Sequence, residues 1–253
     1  MFTLTDKPSN RAIILLRASG KRVATMATPK LLNTLRNGQT AMTTFLALKG
    51  VRHAQVVAHT GLDAAIIDRD VVASAGSSPI VRIRGPSASL VKRAPDTGAH
   101  GVLVPMINIS PTGVQGRGSA FAAFEHGLST PVEYVASAND SVVVMLPIES
   151  IEGRNDVDEI CQVQGVDRVF IGPNDLALAL LGSTPAKYTE AKFLAAIDKI
   201  VGAARTHDKE VGMLVADGEQ ACAAKERFDL IAIGTDVRAM QALYRAALEK
   251  ARS

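Results

Sequence analysis

The sequence predicts a closed parallel (β/α)8 barrel of the TIM type, an α/β fold in a single domain with one or two outer helices shortened or missing. Eight short apolar runs recur along the chain with helical patterns between most of them, the alternation of a parallel sheet wrapped in helices. The 253 residues match the roughly 250 that such barrels use as one unit. With 47% hydrophobic residues there is ample material for a core.

From Pro29 onward the pattern is regular. Leu31, Leu32 and Leu35 share one helical face, and Asn37-Gly38 closes that helix. Strands are expected over Thr40 to Leu46, Ala64 to Asp68, Ile80 to Ile83 and Gly101 to Pro105, then over Val142 to Ile148, Arg168 to Gly172, Val211 to Val215 and Leu230 to Gly234. Continuous Val, Ile and Leu runs are how strands buried on both faces read. Helices are expected over His53 to Thr60, Pro86 to Thr97, Glu152 to Gln162, Ala186 to His207, Glu219 to Arg227 and Asp236 to Ala251. Pro86 and Pro185 suit first-turn positions, where a missing N–H costs no bond, and Thr235 suits an N-cap. Two connections are short. A parallel crossover takes about a dozen residues, yet only Val71 to Pro79 separates the second strand from the third, and Met106 runs through Ser110-Pro111 into Gly113 to Gly118 without a helical face. Either the outer layer carries two gaps or the sequence has lost segments.

Composition excludes several classes of function. A net charge of +3 is too mild for nucleic acid or an anionic membrane. No apolar stretch approaches the ~20 residues of a membrane span. Cys161 and Cys222 have no metal-type spacing and read as reduced packing residues of a cytoplasmic protein. The basic surplus is local: Met1 to Arg36 holds seven Lys and Arg against the single acid Asp6. Residues 1–25 therefore read as an N-terminal extension. A functional leader there would confer a mitochondrial address, and residues 26–253 form the barrel domain. Walker, G-x-S-x-G and H-E-x-x-H motifs are absent from the sequence.

The most informative stretch runs from Val142 to Leu176, where two apolar runs each stop at an acid, Glu149 and Asp175. Both carboxylates would emerge at the C-terminal ends of neighbouring strands, the face on which barrel active sites sit. Two oxygen ligands with open positions beside them suit a hard divalent cation, Mg²⁺ or Mn²⁺, that shares its shell with an oxygen-rich substrate. Arg82 ends the run Pro79 to Ile83, so a strand tip would place its guanidinium at the same mouth.

LPIES and GVDRVFIGPNDLALALLG, with GLDAAIIDRD, SPIVRI and GAHGVLVPMIN upstream, resemble the HpcH/HpaI family of metal-dependent pyruvate aldolases, related to citrate lyase beta subunits. The resemblance spans Met26 to Ala247 and implies a lyase that joins or splits pyruvate and an aldehyde on a divalent cation, with Co²⁺ a further candidate. It implies a homo-oligomer, a trimer or hexamer. It assigns Glu149 and Asp175 to the metal and Arg82 to the keto oxygen, and the backbone amides around Asn174 and Asp175 to the pyruvate carboxylate. Cleavage of a 4-hydroxy-2-oxo acid develops negative charge on the pyruvate keto oxygen, which a cation and a guanidinium stabilise.

The chain departs from the family at Asp68-Arg69-Asp70-Val71, where the resemblance calls for Asp-x-Glu-His. Asp68 and Asp70 keep the acidic frame of the catalytic segment, but Val71 cannot accept a proton. Loss of a positioned base typically slows a reaction about 10²- to 10⁴-fold. Pro147 stands where the family has Gln, and Arg117 is the retained basic residue of the glycine-rich segment. Two alternatives stay open: a CoA-thioester lyase of the citrate or malyl type, and a catalytically impaired binder of pyruvate and metal.

Overall fold

A computed structural model describes residues 29–48, 50–68, 77–83, 94, 97–104, 128, 130, 132–134, 136, 142–185 and 187–253. Eight strands close into a barrel: β1 (Ala41–Leu46), β2 (Ala64–Asp68), β3 (Ser78–Arg82), β4 (Gly101–Leu103), β5 (Val143–Ile148), β6 (Arg168–Ile171), β7 (Glu210–Val215) and β8 (Leu230–Thr235). Every neighbouring pair is parallel, and β8 pairs with β1 to complete the ring. All eight expected strands are present. Their bounds shift by up to two residues, chiefly at β3, which begins at Ser78, and at β4, which ends at Leu103.

The described helices are α1 (Lys30–Arg36), α2 (Val51–Ala58), α3 (Ile151–Asn155), α4 (Val157–Gln162), α5 (Pro173–Leu181), α6 (Ala191–Thr206), α7 (Gly218–Ala224) and α8 (Asp236–Arg252). Four of them, α3 to α6, correct the sequence reading. The helix expected over Glu152 to Gln162 is two short ones, because Asp156 leaves helical geometry at φ −92°, ψ 11° between α3 and α4. The helix expected from Ala186 begins only at Ala191, so Pro185 is not a first-turn proline. In its place the chain forms α5, which the sequence reading missed: Pro173 opens it and Gly182 ends it in the left-handed region at φ 74°. The Pro86 to Thr97 helix and most of both short connections fall outside the described residues, as do residues 1–28. Among the described residues no helix is long and apolar enough to cross a membrane.

Alternation along each strand sorts the core into two layers. Ile66, Ile80, Leu103, Val143, Met145, Phe170 and Leu230 fill the barrel, whereas Val81, Leu146, Ile148, Val169, Ile171 and Ile231 face the helices. Leu31, Leu32 and Leu35 of α1 join the inner cluster and close the N-terminal end of the barrel. Asp63 fastens that plug. It accepts hydrogen bonds from Thr34 Oγ1 at 3.0 Å and from the Met42 amide at 2.9 Å, with Lys30 Nζ 3.5 Å away. At the same end Arg168, only 5% exposed, is ion-paired to Glu210. Burial pushes the Glu210 carboxyl above its ordinary range, and the Arg168 charge and hydrogen bond oppose that rise.

The upper layer depends on one omitted side chain. Phe170 meets Phe45 edge-on, with centroids 5.7 Å apart, and a Cβ on Gly212 would lie 2.6 Å from Phe170 Cδ2. Gly212→Ala is therefore expected to destabilise the protein by about 1–3 kcal/mol, seen as a lower urea midpoint. An unchanged midpoint would mean that the ring has room to shift.

Candidate active site

At the C-terminal mouth lies a cavity of about 220 Å³. Its floor is apolar, built from Phe45, Leu103, Pro147, Phe170 and Leu214, and its polar lining is Arg82, Glu149, Asn174, Asp175 and Thr235. Strand geometry accounts for each contributor. Arg82 is the last residue of β3 and pairs in register with Leu103, so both reach the mouth. Met145, Pro147 and Glu149 alternate inward along β5 and just past it, while Ile148 turns out to the helices. Ser150 then caps α3 by accepting a hydrogen bond from the Gly153 amide at 3.0 Å, so Glu149 is the single residue between the end of β5 and the helix cap.

The neighbouring chain segment delivers Asp175 differently from the expected strand tip. Gly172 is the N-cap of α5, so Pro173, Asn174 and Asp175 form its first turn. The Asn174 and Asp175 amides lie in the turn where backbone N–H groups have no intrahelical acceptor. Gly172 also packs directly on the metal-ligand candidate: a Cβ there would sit 3.1 Å from Glu149 Oε2. The two acids, separated along the sequence, therefore converge.

The electrostatics of Glu149 differ from those of an ordinary surface acid. Burial pushes the Glu149 carboxyl above the usual range; the Arg82 charge opposes this, and the Asp175 charge adds to it. Among the described residues neither the Glu149 nor the Asp175 side chain has a hydrogen-bond or salt-bridge partner; Glu149 is half-buried, whereas Asp175 is exposed in the first turn of α5. A half-buried carboxylate without a donor, beside a second acid, is a costly arrangement that a bound cation relieves. No group of three His, Cys, Asp or Glu forms among the described residues. The donor set is two hard oxygen ligands, which fits a divalent cation completed by substrate and water.

The remaining sequence-derived candidates fall as follows. Asp68 ends β2 in register with Arg82. Asp70, Val71, Arg117 and His126 lie outside the described residues. Of the described histidines, His53, His59, His100 and His207, none lines the cavity, so none replaces the histidine missing at Val71.

The sequence reading overlooked Asp236. It stands directly after β8 and accepts hydrogen bonds from the Ala47 and Leu48 amides, each at 3.0 Å, from the Val237 amide at 2.7 Å, and pairs with His53 Nε2 at 2.8 Å. Leu46 and Ala47 line the cavity, so this carboxylate pins the rim next to β1. Burial alone would raise its pKa, but the bonds from Ala47, Leu48, His53 and Val237 outweigh burial and hold it below the ordinary range. The signal was available, because IAIGTD is a third apolar run that ends on an acid.

A closed parallel barrel with two acids and a guanidinium around one cavity at its C-terminal mouth has the layout of a barrel enzyme. Residues 49–242 match the HpcH/HpaI aldolase/citrate lyase family. The chain is 30% identical over 245 residues to a hydroxypyruvate/pyruvate aldolase of Rhizorhabdus wittichii, covering 85% of this chain and 96% of that protein. It is 29% identical over 241 residues to a 4-hydroxy-2-oxo-heptane-1,7-dioate aldolase of Escherichia coli, covering 83% and 91%. A crystal structure of an HpcH/HpaI family protein from Burkholderia cenocepacia J2315 superposes with a TM-score of 0.74 at 26% identity, covering 89% of this chain and 100% of that one. The chain belongs to the HpcH/HpaI aldolase/citrate lyase family, and it is a carbon–carbon lyase.

Asp236→Ala leaves three part-buried amide donors without their acceptor and is expected to cost about 1–3 kcal/mol. Asp236→Asn adds a test of charge. The folded carboxyl titrates below its ordinary value of 3.8, so its contribution is complete above that pH and is lost as the pH falls through the folded value. The Tm gap between wild type and Asp236→Asn should be full at pH 7 and should close in acid below 3.8; a gap independent of pH would refute the assignment.

Proposed function

We propose that the protein cleaves a 4-hydroxy-2-oxo acid to pyruvate and an aldehyde, and catalyses the reverse addition, with a divalent cation held by Glu149 and Asp175. The observation that carries this reading is the unpaired Glu149 and Asp175 pair beside Arg82 at one small cavity. Mg²⁺, Mn²⁺ or Co²⁺ bound there would supply Lewis acidity toward the keto oxygen. The Arg82 guanidinium would stabilise the same oxygen as charge develops on it. The first-turn amides of Asn174 and Asp175 would hold the pyruvate carboxylate, where the helix N-terminus favours an anion. The apolar floor of Phe45, Leu103, Pro147 and Phe170 keeps water from the carbon side of the enolate. Asp68, in register with Arg82, and Asp70 keep the acidic frame of the catalytic segment.

A catalytically impaired binder is the second reading. It is favoured by the lack of a histidine among the described lining residues. Titration calorimetry with pyruvate and Mn²⁺, run beside turnover, separates the two. We further propose a cytoplasmic homo-oligomer, a trimer or hexamer, in which residues 26–253 form the barrel domain. The support is α8, which exposes Met240, Leu243, Tyr244 and Leu248 and buries only Asp236.

Aldehyde-dependent pyruvate consumption with Mn²⁺ tests the main proposal. Glu149→Ala and Asp175→Ala should each lower turnover at least about 10²-fold, chelation should abolish it, and Arg82→Ala should cost about 10²- to 10³-fold. Unchanged turnover in both carboxylate variants would remove the metal assignment.

A further inference from the structure

We infer that the side-chain amide of Asn174, held in place by Tyr188, donates a hydrogen bond to a hydroxyl on the aldehyde and so selects hydroxylated aldehydes over plain ones. This rests on the pyruvate aldolase reading above. Asn174 lines the cavity next to Asp175, and its Oδ1 accepts a hydrogen bond from the Tyr188 hydroxyl at 2.5 Å. Tyr188 does not line the cavity. With Oδ1 taken by the Tyr188 hydroxyl, Nδ2 is the edge of the carboxamide left for a ligand. An amide nitrogen carries two N–H donors, and among the described residues Nδ2 has no partner. Only the backbone carbonyl of Asn174 has a further contact, accepting from Thr184 Oγ1 at 3.4 Å.

The lock is rigid. The Tyr188 ring stacks on Phe193 with centroids 4.6 Å apart and planes 22° from parallel, and Phe193 is 1% exposed. Burial raises the phenol above its ordinary range, with the Arg238 charge opposing and the Asp175 charge adding. The hydroxyl thus keeps its proton and remains the donor toward Oδ1. Tyr188 is a positioning residue, since it fixes which end of the carboxamide faces the substrate.

The oxygens of pyruvate are already matched in this reading, the carboxylate by first-turn amides and the keto oxygen by Arg82 and the cation. The Asn174 donors are left for the second substrate. The cavity also presents the apolar side chains of Phe45 and Leu214, and the Asn174 carboxamide is uncharged, so a neutral hydroxyl next to the aldehyde carbon is the group its donors suit. A site that places donors for a hydroxyl disfavours the analogue lacking it, because those donors then lie without an acceptor.

The experiment compares glycolaldehyde with propanal, nearly isosteric but lacking the hydroxyl, as acceptors for pyruvate and Mn²⁺. Methyl H/D exchange of pyruvate in D₂O is followed without aldehyde. Tyr188→Phe, which keeps the stack on Phe193, should leave the exchange rate at its wild-type value. It should reduce the preference for glycolaldehyde, as a ratio of kcat/KM values, about 3- to 10-fold, mainly through KM for glycolaldehyde. Asn174→Ala should reduce the preference at least as much. Equal losses for both aldehydes, or an unaltered ratio in both variants with exchange intact, would overturn this inference alone. No exchange in the wild type would overturn the pyruvate reading, and this inference with it.

Discussion

Closure of the parallel sheet is the constraint on which the rest depends. Because β8 pairs with β1 in the same direction as every other pair, all eight C-terminal strand ends arrive at one rim. Residues that are remote along the chain then share a few ångströms of space without any dedicated long-range contact. Arg82 of β3, Glu149 after β5, Asn174 and Asp175 after β6, and Thr235 of β8 line one cavity for that reason alone. The inner packing sets how deep that cavity is. Phe170 against Phe45 forms its base, and Gly212 gives up a side chain to admit the ring.

Three acids at this rim show how environment divides structural from chemical roles. Asp236 is saturated: three backbone amides and His53 occupy its oxygens, its side chain is 1% exposed, and its acidity rises accordingly. Among the described residues Glu149 receives no such bonds, and burial drives its proton affinity the other way. Asp175 sits in the first turn of α5 without a capping bond. A saturated carboxylate builds the rim, whereas Glu149 and Asp175, without such bonds among the described residues, are the pair proposed to hold a cation beside Arg82.

Much of this was legible in the sequence, for physical reasons. Buried parallel strands are written as apolar runs, so eight runs gave eight strands, and β2 was located to the residue. Acids placed at run ends gave Glu149 and Asp175 because a strand end at the mouth is a position, not a fold-specific contact. The helices were harder. PNDLALALL is apolar on several faces, so α5 carries no clean periodic stripe, and the chain reads as a continuation of the strand. The break at Asp156 depends on a local turn that periodicity does not register. Tyr188 was invisible because its importance comes only from reaching Asn174 through space, fourteen positions away. Asp236 obeyed the same rule as Glu149 and was passed over because its run ended at an N-cap, where an acid already has a familiar explanation.

The leucines of α1 give the barrel a stopper at its far end, with Leu31 and its neighbours seated in the inner cluster and Asp63 latching the helix in place. Between that end and the mouth the interior is solid, packed with Ile66, Ile80, Met145 and Phe170. The far end thus carries stability while the mouth carries chemistry, and changes at either one act through separate contacts.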